Sequence, residues 1–393
     1  MRLMNVKNNA TCNDLINYYT CTCDAEYTNV HCDLLTEVWL IALEYSGILD
    51  LSLVSDIVAQ SGLIVDAVPF VVATLNESDR LSLSWDYPDV FDHATFEEFP
   101  LDIQNDSVDF VRWTDASLGN CFSFNHENIM RYKLRNAGVD WGLRVHLNVK
   151  QEDYVPWQDV AGMRVFVHNQ SETIFGESKG SSVQPGFITN LGIRLREYSR
   201  LQSPYGDCVI DSTTVETFYY ESAYDKGGCI KSCFQKELAK EIGCADPRYP
   251  MPPDAAKCGL EHRDKINDFL DRRGDGSSWE ECKCPLPCRA AEYEVSISRG
   301  VFKSMPFECE VMTNLTQRDI CIDNLHQNKL SVNVYFESMV YFVMEEIPKY
   351  PFSKLLGDVG GQLGILAGIS IISVAEILVC FVRICINLVS GKG

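Results

Sequence analysis

The cysteines between residues 208 and 321 constrain this chain more than any other feature, because their spacings follow two different structural periods. Cys229 and Cys233 stand four apart in 228-GCIKSCFQKELAKEIGC-244, a segment with helical periodicity that stops at a Gly-Cys pair before the proline-rich PRYPMPP. Residues four apart on a helix share one face, a turn apart. Cys282 and Cys284 stand two apart in 281-ECKCPLPC-288, so in an extended segment they share a face as well. The axial separation is ~6 Å in both cases. Two antiparallel rungs follow, Cys229–Cys284 and Cys233–Cys282. Cys208 and Cys288 extend the same ladder outward. Cys244–Cys258 closes the turn before a second predicted helix over 259-GLEHRDKINDFLDRR-273, where Ile266, Phe269 and Leu270 recur at helical spacing, and Cys309–Cys321 closes a later loop.

A total of 17 cysteines is far above cytosolic usage and fits an oxidised, extracellular framework. The same CKC…C and C-x3-C spacings could hold zinc, but the secretory context favours disulfides, and the seven histidines are scattered with no pair at ligand spacing in sequence. No metal and no cofactor is therefore assigned. Asn9, Asn76, Asn105, Asn169 and Asn314 head N-x-S/T sequons, candidate glycosylation sites that all precede the apolar C-terminal segment. The formal net charge is −21, and beyond Asp358 the only formal charges are Glu376, Arg383 and Lys392, so the acidity belongs to the region before them. Such a surface argues against nucleic acid and enriches cations locally. One string, 176-GESKG-180, fits the G-x-S-x-G of a hydrolase around Ser178, but KGSSVQPGF cannot start the helix that this motif needs after its serine. An enzyme is not the expected reading.

Short β-type runs (RVHLNV, MRVFVH, VNVYF) alternate with Pro-, Gly- and Asp-rich loops through the middle of the chain, which predicts a mostly β body interrupted by the two helices. Residues 38–75 look apolar but carry Glu44, Asp50, Asp56 and Asp66 at intervals that suit amphipathic elements rather than a membrane span. From Val359 to Leu388, by contrast, only Glu376 and Arg383 are charged, and that length exceeds the roughly 20 residues a bilayer requires. Within it Gly360, Gly364 and Gly368 recur every fourth residue and continue through Ile372 to Glu376, one stripe on a straight helix. Small residues at that spacing let helices approach closely in lipid. Ser370 and Ser373 beside the stripe offer hydroxyls, and an ionisable Glu376 within the membrane marks a functional path. From periodicity alone, an anchor that dimerises through its glycines and a pore helix remain equally open.

The N-terminal 12-CNDLINYYTCTCDAEYTNVHC-32 resembles the second half of an EGF-like module; that resemblance implies a Cys23–Cys32 bridge and leaves Cys12 and Cys21 seeking partners further upstream. The start MRLMNVKNNATC has no apolar signal region, so a preceding segment is expected. The ladder CIKSC…ECKCPLPC, the preceding SPYGDC, the segment 147-LNVKQEDYVPWQDVAGMRVFVH-168, the PGF at Pro185–Phe187 and the tail LLGDVGGQLGILAGIS together resemble the epithelial sodium channel/degenerin/acid-sensing ion channel family, from about residue 105 to the end. With the EGF-like module the likeness is to a nematode subgroup combining EGF with an amiloride-sensitive channel.

This resemblance implies an α+β membrane protein: a β-rich, disulfide-braced ectodomain with a helical thumb, and a pore lined by the C-terminal transmembrane helix, the first membrane helix being absent from this chain. It implies a partial EGF-like module over 1–35, an ectodomain over 36–352 with the thumb at about 208–290, a pre-pore segment and second membrane helix over 353–389, and a cytoplasmic tail over 390–393. The assembly would be a homo- or hetero-trimer with related subunits in the plasma membrane, bathed by lipid, conducting Na+, blocked by amiloride and open to an extracellular ligand. In that family a Gly/Ser-x-Ser triplet interrupts the second helix and forms the selectivity region, and it maps onto Gly368-Ile369-Ser370, with Ile369 bulkier than the usual middle residue. Gly357 matches the position where bulky substitutions hold degenerins open, and Glu376 matches an acid of the inner pore, while Val379 replaces a second one. Cys121, in GNCFSFN, matches a cysteine whose partner lies upstream, and Tyr205 stands where acid-sensing members carry a tryptophan. The alternative is a single-pass EGF-containing adhesion or receptor protein whose tail is only an anchor.

Overall fold

The computed structural model describes residues 11–15, 18–22, 27–28, 34–35, 66–73, 75–104, 109–126, 132–154, 158, 160–368, 370–389 and 391. It divides into two compact units, Met1–Ser199 with Cys208–Met344, and Arg200–Asp207 with Glu345–Gly393. At the start of the first unit, β1 (Thr11–Leu15) and β2 (Tyr18–Thr22) form an antiparallel hairpin and β3 (Tyr27–Thr28) pairs with β4 (Leu34–Leu35). The expected Cys23–Cys32 bridge lies outside the described residues, as do Asn9, Asn105 and the stretch 36–65.

The body is a mixed sheet. Its strands are β5 (Phe91–Phe96), β6 (Phe99–Pro100), β9 (Leu143–Asn148), β12 (Phe187–Ser199), β15 (Arg289–Val301), β16 (Lys329–Phe336) and β17 (Phe342–Glu345); between β6 and β9 the hairpin of β7 (Phe110–Asp115) and β8 (Gly119–Phe124) stands apart, and β10 (Met163–Val165) pairs with β11 (Ser181–Val183). The order across the sheet is β15-β12-β16-β9-β5-β6, with β17 also on β12. β12 is the spine: it runs antiparallel to β15 from Phe187↔Val301 to Ser199↔Arg289 and parallel to β16 from Ile188↔Ser331 to Ile193↔Phe336. Alternation explains which residues enter the core. Val145 and Leu147 of β9 and Leu330 and Val332 of β16 are buried with Tyr87, Phe91, Ala94, Phe110 and Leu191. Among the described residues of the run 147–168, the strands are the end of β9 and β10 at Met163–Val165; Gln151–Asp153 between them is a turn of 3-10 helix, started by Lys150 in a left-handed conformation at φ 39°.

The helical part grows from two strong stop and start signals. Helix α3 (Lys226–Ile242) opens on Asp225, whose side chain accepts the Gly228 amide at 2.7 Å, and closes on Gly243 at φ 90°, a conformation glycine adopts without strain. Helix α4 (Arg263–Arg273) follows the Cys244–Cys258 loop. (Helices α1, Glu77–Ser82, and α2, Tyr87–Val90, precede β5.) Leu238, Ile266 and Phe269 are fully buried, Phe269 meets Trp279 edge-on at 5.5 Å, and the helical residues 66–73 add Ala67, Phe70 and Val71 to this core. Gln235 is buried without penalty: its amide donates to the Asp246 carbonyl and accepts the Asp246 N–H, both at 2.8 Å, mimicking a backbone pair.

Disulfides join Cys229 to Cys284 and Cys233 to Cys282 with Cα–Cα distances of 5.8 and 5.6 Å, and Cys208 to Cys288, Cys244 to Cys258 and Cys309 to Cys321. The first pair of short strands here, β13 (Cys208–Val209) and β14 (Leu286–Pro287), runs parallel beside the Cys208–Cys288 link. Cys229, Cys233, Cys282 and Cys284 are thus committed to sulfur–sulfur bonds and hold no zinc. Beyond the ladder lie α5 (Phe307–Glu310) and α6 (Leu315–Asn328), bridged by Cys309–Cys321. Opening the Cys244–Cys258 loop by replacing both cysteines with alanine should cost about 3 kcal/mol, and opening Cys233–Cys282, which closes a loop of only about six residues while Cys229–Cys284 holds, about 2 kcal/mol. Denaturant unfolding of the two double variants checks the order; equal losses would show that strain, not loop closure, governs the helical part.

Candidate functional site

The second unit holds the residues that the sequence singles out near the C-terminus. Its helix α7 (Phe352–Ala367) begins at Pro351, whose carbonyl accepts the Lys354 and Leu355 amides at 2.9 and 3.1 Å. Gly357, Gly360 and Gly364 all lie on α7, and a methyl group added at Gly357 or Gly360 would meet no atom within 4 Å. Gly357 and Gly360 therefore lie on a face that no described residue covers. Upstream, the loop 200–207 is tied to the same unit by the Leu201 amide, which donates to Glu346 Oε2 at 3.0 Å. Gly206 is obligatory in that loop, since a Cβ there would lie 2.3 Å from the Leu201 carbonyl oxygen. Tyr205 is half exposed on it.

The straight helix that the glycine spacing alone implies is not what forms; the chain stops its helix at Gly368, where the family resemblance implies an interruption. Gly368 takes the left-handed conformation, φ 64° and ψ 14°, and its amide turns back to the Leu363 and Gly364 carbonyls, which ends α7. Ser370 then starts α8 (Ile371–Val389): its carbonyl accepts the Val374 amide at 3.1 Å and its Oγ accepts the Ser373 amide at 3.2 Å, an N-cap. The segment breaks because a left-handed glycine and a capping serine sit two residues apart. The stripe from Gly368 through Ile372 to Glu376 is therefore not one stripe on an unbroken helix, because α7 ends at Gly368 before α8 begins. Ile369 lies outside the described residues. Among those described, no helix is long and apolar enough to cross a membrane; at 1.5 Å per residue, α7 and α8 are each shorter than the ~30 Å hydrocarbon core.

On α8, Glu376 shares a shallow groove with Ile372, Ala375, Val379, Cys380 and Arg383. Spacings of three, four and seven put these on one helix face, with Glu376 and Arg383 two turns apart. Apolar side chains around both helices are exposed among the described residues; Ile365 and Leu366 are 87 and 84% exposed. Just before α7, the Tyr350 hydroxyl donates to Asp358 Oδ2 at 2.5 Å, fastening the entry of the helix to its second turn beside Gly357. That bond holds the Tyr350 phenol above its ordinary pKa. Sequence reasoning missed this contact and the capping role of Ser370, although a serine three residues ahead of another polar residue in an apolar run is a helix-start signal.

The other singled-out residues lie in the first unit. Ser178 is in a turn, its hydroxyl accepting the Phe175 amide at 3.1 Å, and strand β11 rather than a helix follows, so no nucleophile elbow exists there. Cys121 on β8 is a free thiol, pushed up to about 12 by burial and by the Asp115 carboxylate, and is therefore unreactive. Asn76 and Asn314 are exposed N-caps of α1 and α6, and Asn169 lies in a turn where its Oδ1 accepts the Ser171 amide. A cavity of 1310 Å³ in this unit is walled by Trp85, Phe122, Phe124, Tyr132 and Tyr154 among others.

Comparison with known proteins turns this geometry into a family. A family model described as amiloride-sensitive sodium channel matches residues 70–380. The chain belongs to this family. It is 32% identical over 317 residues to degenerin mec-4 of Caenorhabditis briggsae, covering 80% of this chain and 41% of that protein. It is 30% identical over 342 residues to the degenerin-like protein asic-1 of Caenorhabditis elegans, covering 86% of this chain and 41% of that one. Degenerin mec-10 of Caenorhabditis elegans is 29% identical over 310 residues, 78% of this chain and 42% of the relative. The chain thus spans about two-fifths of the length of the curated relatives it matches. The family is one of ion channels, not enzymes.

If the left-handed Gly368 sets the break, Gly368→Val should destabilise the tail by roughly 1–2 kcal/mol while Gly368→Asn is close to neutral. Thermal melting of the helical signal in detergent micelles measures both; a silent Gly368→Val would remove the conformational argument.

Proposed function

We propose that this chain is a subunit of a trimeric, amiloride-sensitive sodium or cation channel of the plasma membrane, the bulk of it extracellular, with α7 and α8 lining the pore. The observation that carries this reading is the break at Gly368–Ser370. An anchor gains nothing from interrupting its backbone hydrogen bonds, because each unpaired group in lipid is costly. Non-helical backbone at membrane depth is tolerated where it lines a water-filled path, and there its carbonyls can replace part of a cation's hydration shell. Gly368, Ile369 and Ser370 then form the selectivity region, Glu376 the inner cation site, Gly357 the gating position, and Gly360 with Gly364 the close-packing face between subunits.

The outward apolar surfaces of α7 and α8 support the assembly, since exposed apolar area of this extent calls for lipid or partner subunits. A formal charge of −21 across the chain supports cation enrichment outside the pore. Asn76, Asn169 and Asn314, all accessible, would carry glycans, and the aromatic-walled cavity could accept an extracellular ligand. The reading as an adhesion receptor with a plain anchor has no specific observation in its favour.

Expression of the full-length gene in oocytes tests the proposal. A cation current should appear, and Ser370→Cys should make it blockable by water-soluble thiol reagents, as should Glu376→Cys from the inner side. Cysteines at 368 to 376 that never react from water would overturn the pore assignment.

A further inference from the structure

The histidines are scattered in sequence, but the fold brings His93 and His146 face to face. They are direct partners across the antiparallel β5–β9 pair, with ring centroids 6.2 Å apart. A β-bulge makes this possible. The register shifts between Phe91, opposite Leu147, and His93, opposite His146, so the extra residue, Asp92, is absorbed. Without that shift Asp92 would oppose His146 and His93 would turn toward the core, since a one-residue slip moves every side chain to the other face. The two imidazoles instead stand on the side opposite Val145 and Leu147, which are buried. His93 is exposed and His146 half-buried.

We propose that His93 and His146 form a bidentate binding site for a divalent transition-metal cation, of which Zn2+ is the type, with water completing its coordination. With metal–nitrogen bonds of about 2.0–2.1 Å at a tetrahedral angle, two ligating imidazole rings have centroids roughly 5 Å apart. The pair therefore closes by about 1 Å, which turning the exposed His93 ring supplies. Neutral imidazoles are needed, because only these offer a lone pair. Burial, and then the nearby charges of His93 and Arg144, hold the His146 pKa below its ordinary value, so its lone pair is available at neutral pH. Asp92 and Glu308, the latter on α5, act in the opposite sense and favour a cation. Asp92 is engaged with Lys329 Nζ at 2.6 Å through both carboxylate oxygens, which makes it an outer partner rather than a ligand. Among the described residues no three His, Cys, Asp or Glu side chains converge, so the site has two protein ligands and open positions. Such a site suits a reversible modulator more than a structural ion. A bound metal would tie β5 to β9 at the edge of the sheet whose spine, β12, also carries β17.

Isothermal titration of the purified, chelator-stripped chain in detergent with ZnCl2 tests this. One site per chain is expected, weakened at least about tenfold by His93→Gln and by His146→Ala, insensitive to millimolar Ca2+ and Mg2+, and weaker at pH 5 than at pH 7.5 as the imidazoles take up protons. Unchanged binding in both variants, or displacement by Ca2+, would overturn it and place the metal on surface carboxylates. Should His146→Ala fail to fold, the wild-type chain and His93→Gln decide alone: with Cu2+, electron paramagnetic resonance should count two nitrogen ligands in the first and one in the second. A count of no more than one in the wild type sinks the bis-histidine site.

Discussion

The crosslinking of one helix to one extended segment is the constraint on which the ectodomain depends. Helix α3 buries only part of its surface, and the core it shares with α4 is small, so packing alone leaves little margin against the entropy of ordering the chain. Two covalent rungs one turn apart remove that problem, because they fix both the distance and the rotation of α3 against residues 282–284. Fixing rotation matters more than adding stability: it sets which face meets Phe269 and Trp279, and so where the buried Gln235 finds the Asp246 backbone. Cys208–Cys288 then carries the same frame to the ends of the spine strand and its neighbour, since Ser199 pairs with Arg289 next to it.

The fold was legible where spacing and stop signals act locally. CIKSC on a helical period and CKC on an extended one are enough to place rungs, and the Gly-Cys stop at Gly243 bounds the helix where capping chemistry puts it, whereas its start at Asp225 lies three residues ahead of the reading from Gly228. Long-range features were not legible. That Ile188 of β12 pairs in parallel with Ser331 depends on a crossover of more than a hundred residues, and no local pattern encodes it. The bulge at Asp92 is equally silent in sequence, yet it decides whether two histidines 53 positions apart meet.

At the candidate pore, glycine spacing alone speaks for one ideal helix with Gly368 as a small packing residue, whereas the family resemblance implies an interruption there, and the helix does stop at Gly368. In a helix interior glycine has two uses, close approach and positive φ, and spacing of four cannot distinguish them. Ser370 two residues later tips the balance, because its hydroxyl can cap a new helix once the old one has stopped. Periodicity spoke for continuity, capping chemistry spoke for a break, and capping won since it satisfies backbone groups that the turn at Gly368 sets loose.

The break has an electrical consequence. A helix ending at Ala367 presents the negative end of its peptide dipoles, equivalent to about half an elementary charge, and α8 starting at Ile371 presents the positive end of its own within a few residues. The local field there is written in carbonyls and amides rather than in side chains. Exchanging one side chain for another at either helix end leaves that backbone field as it was.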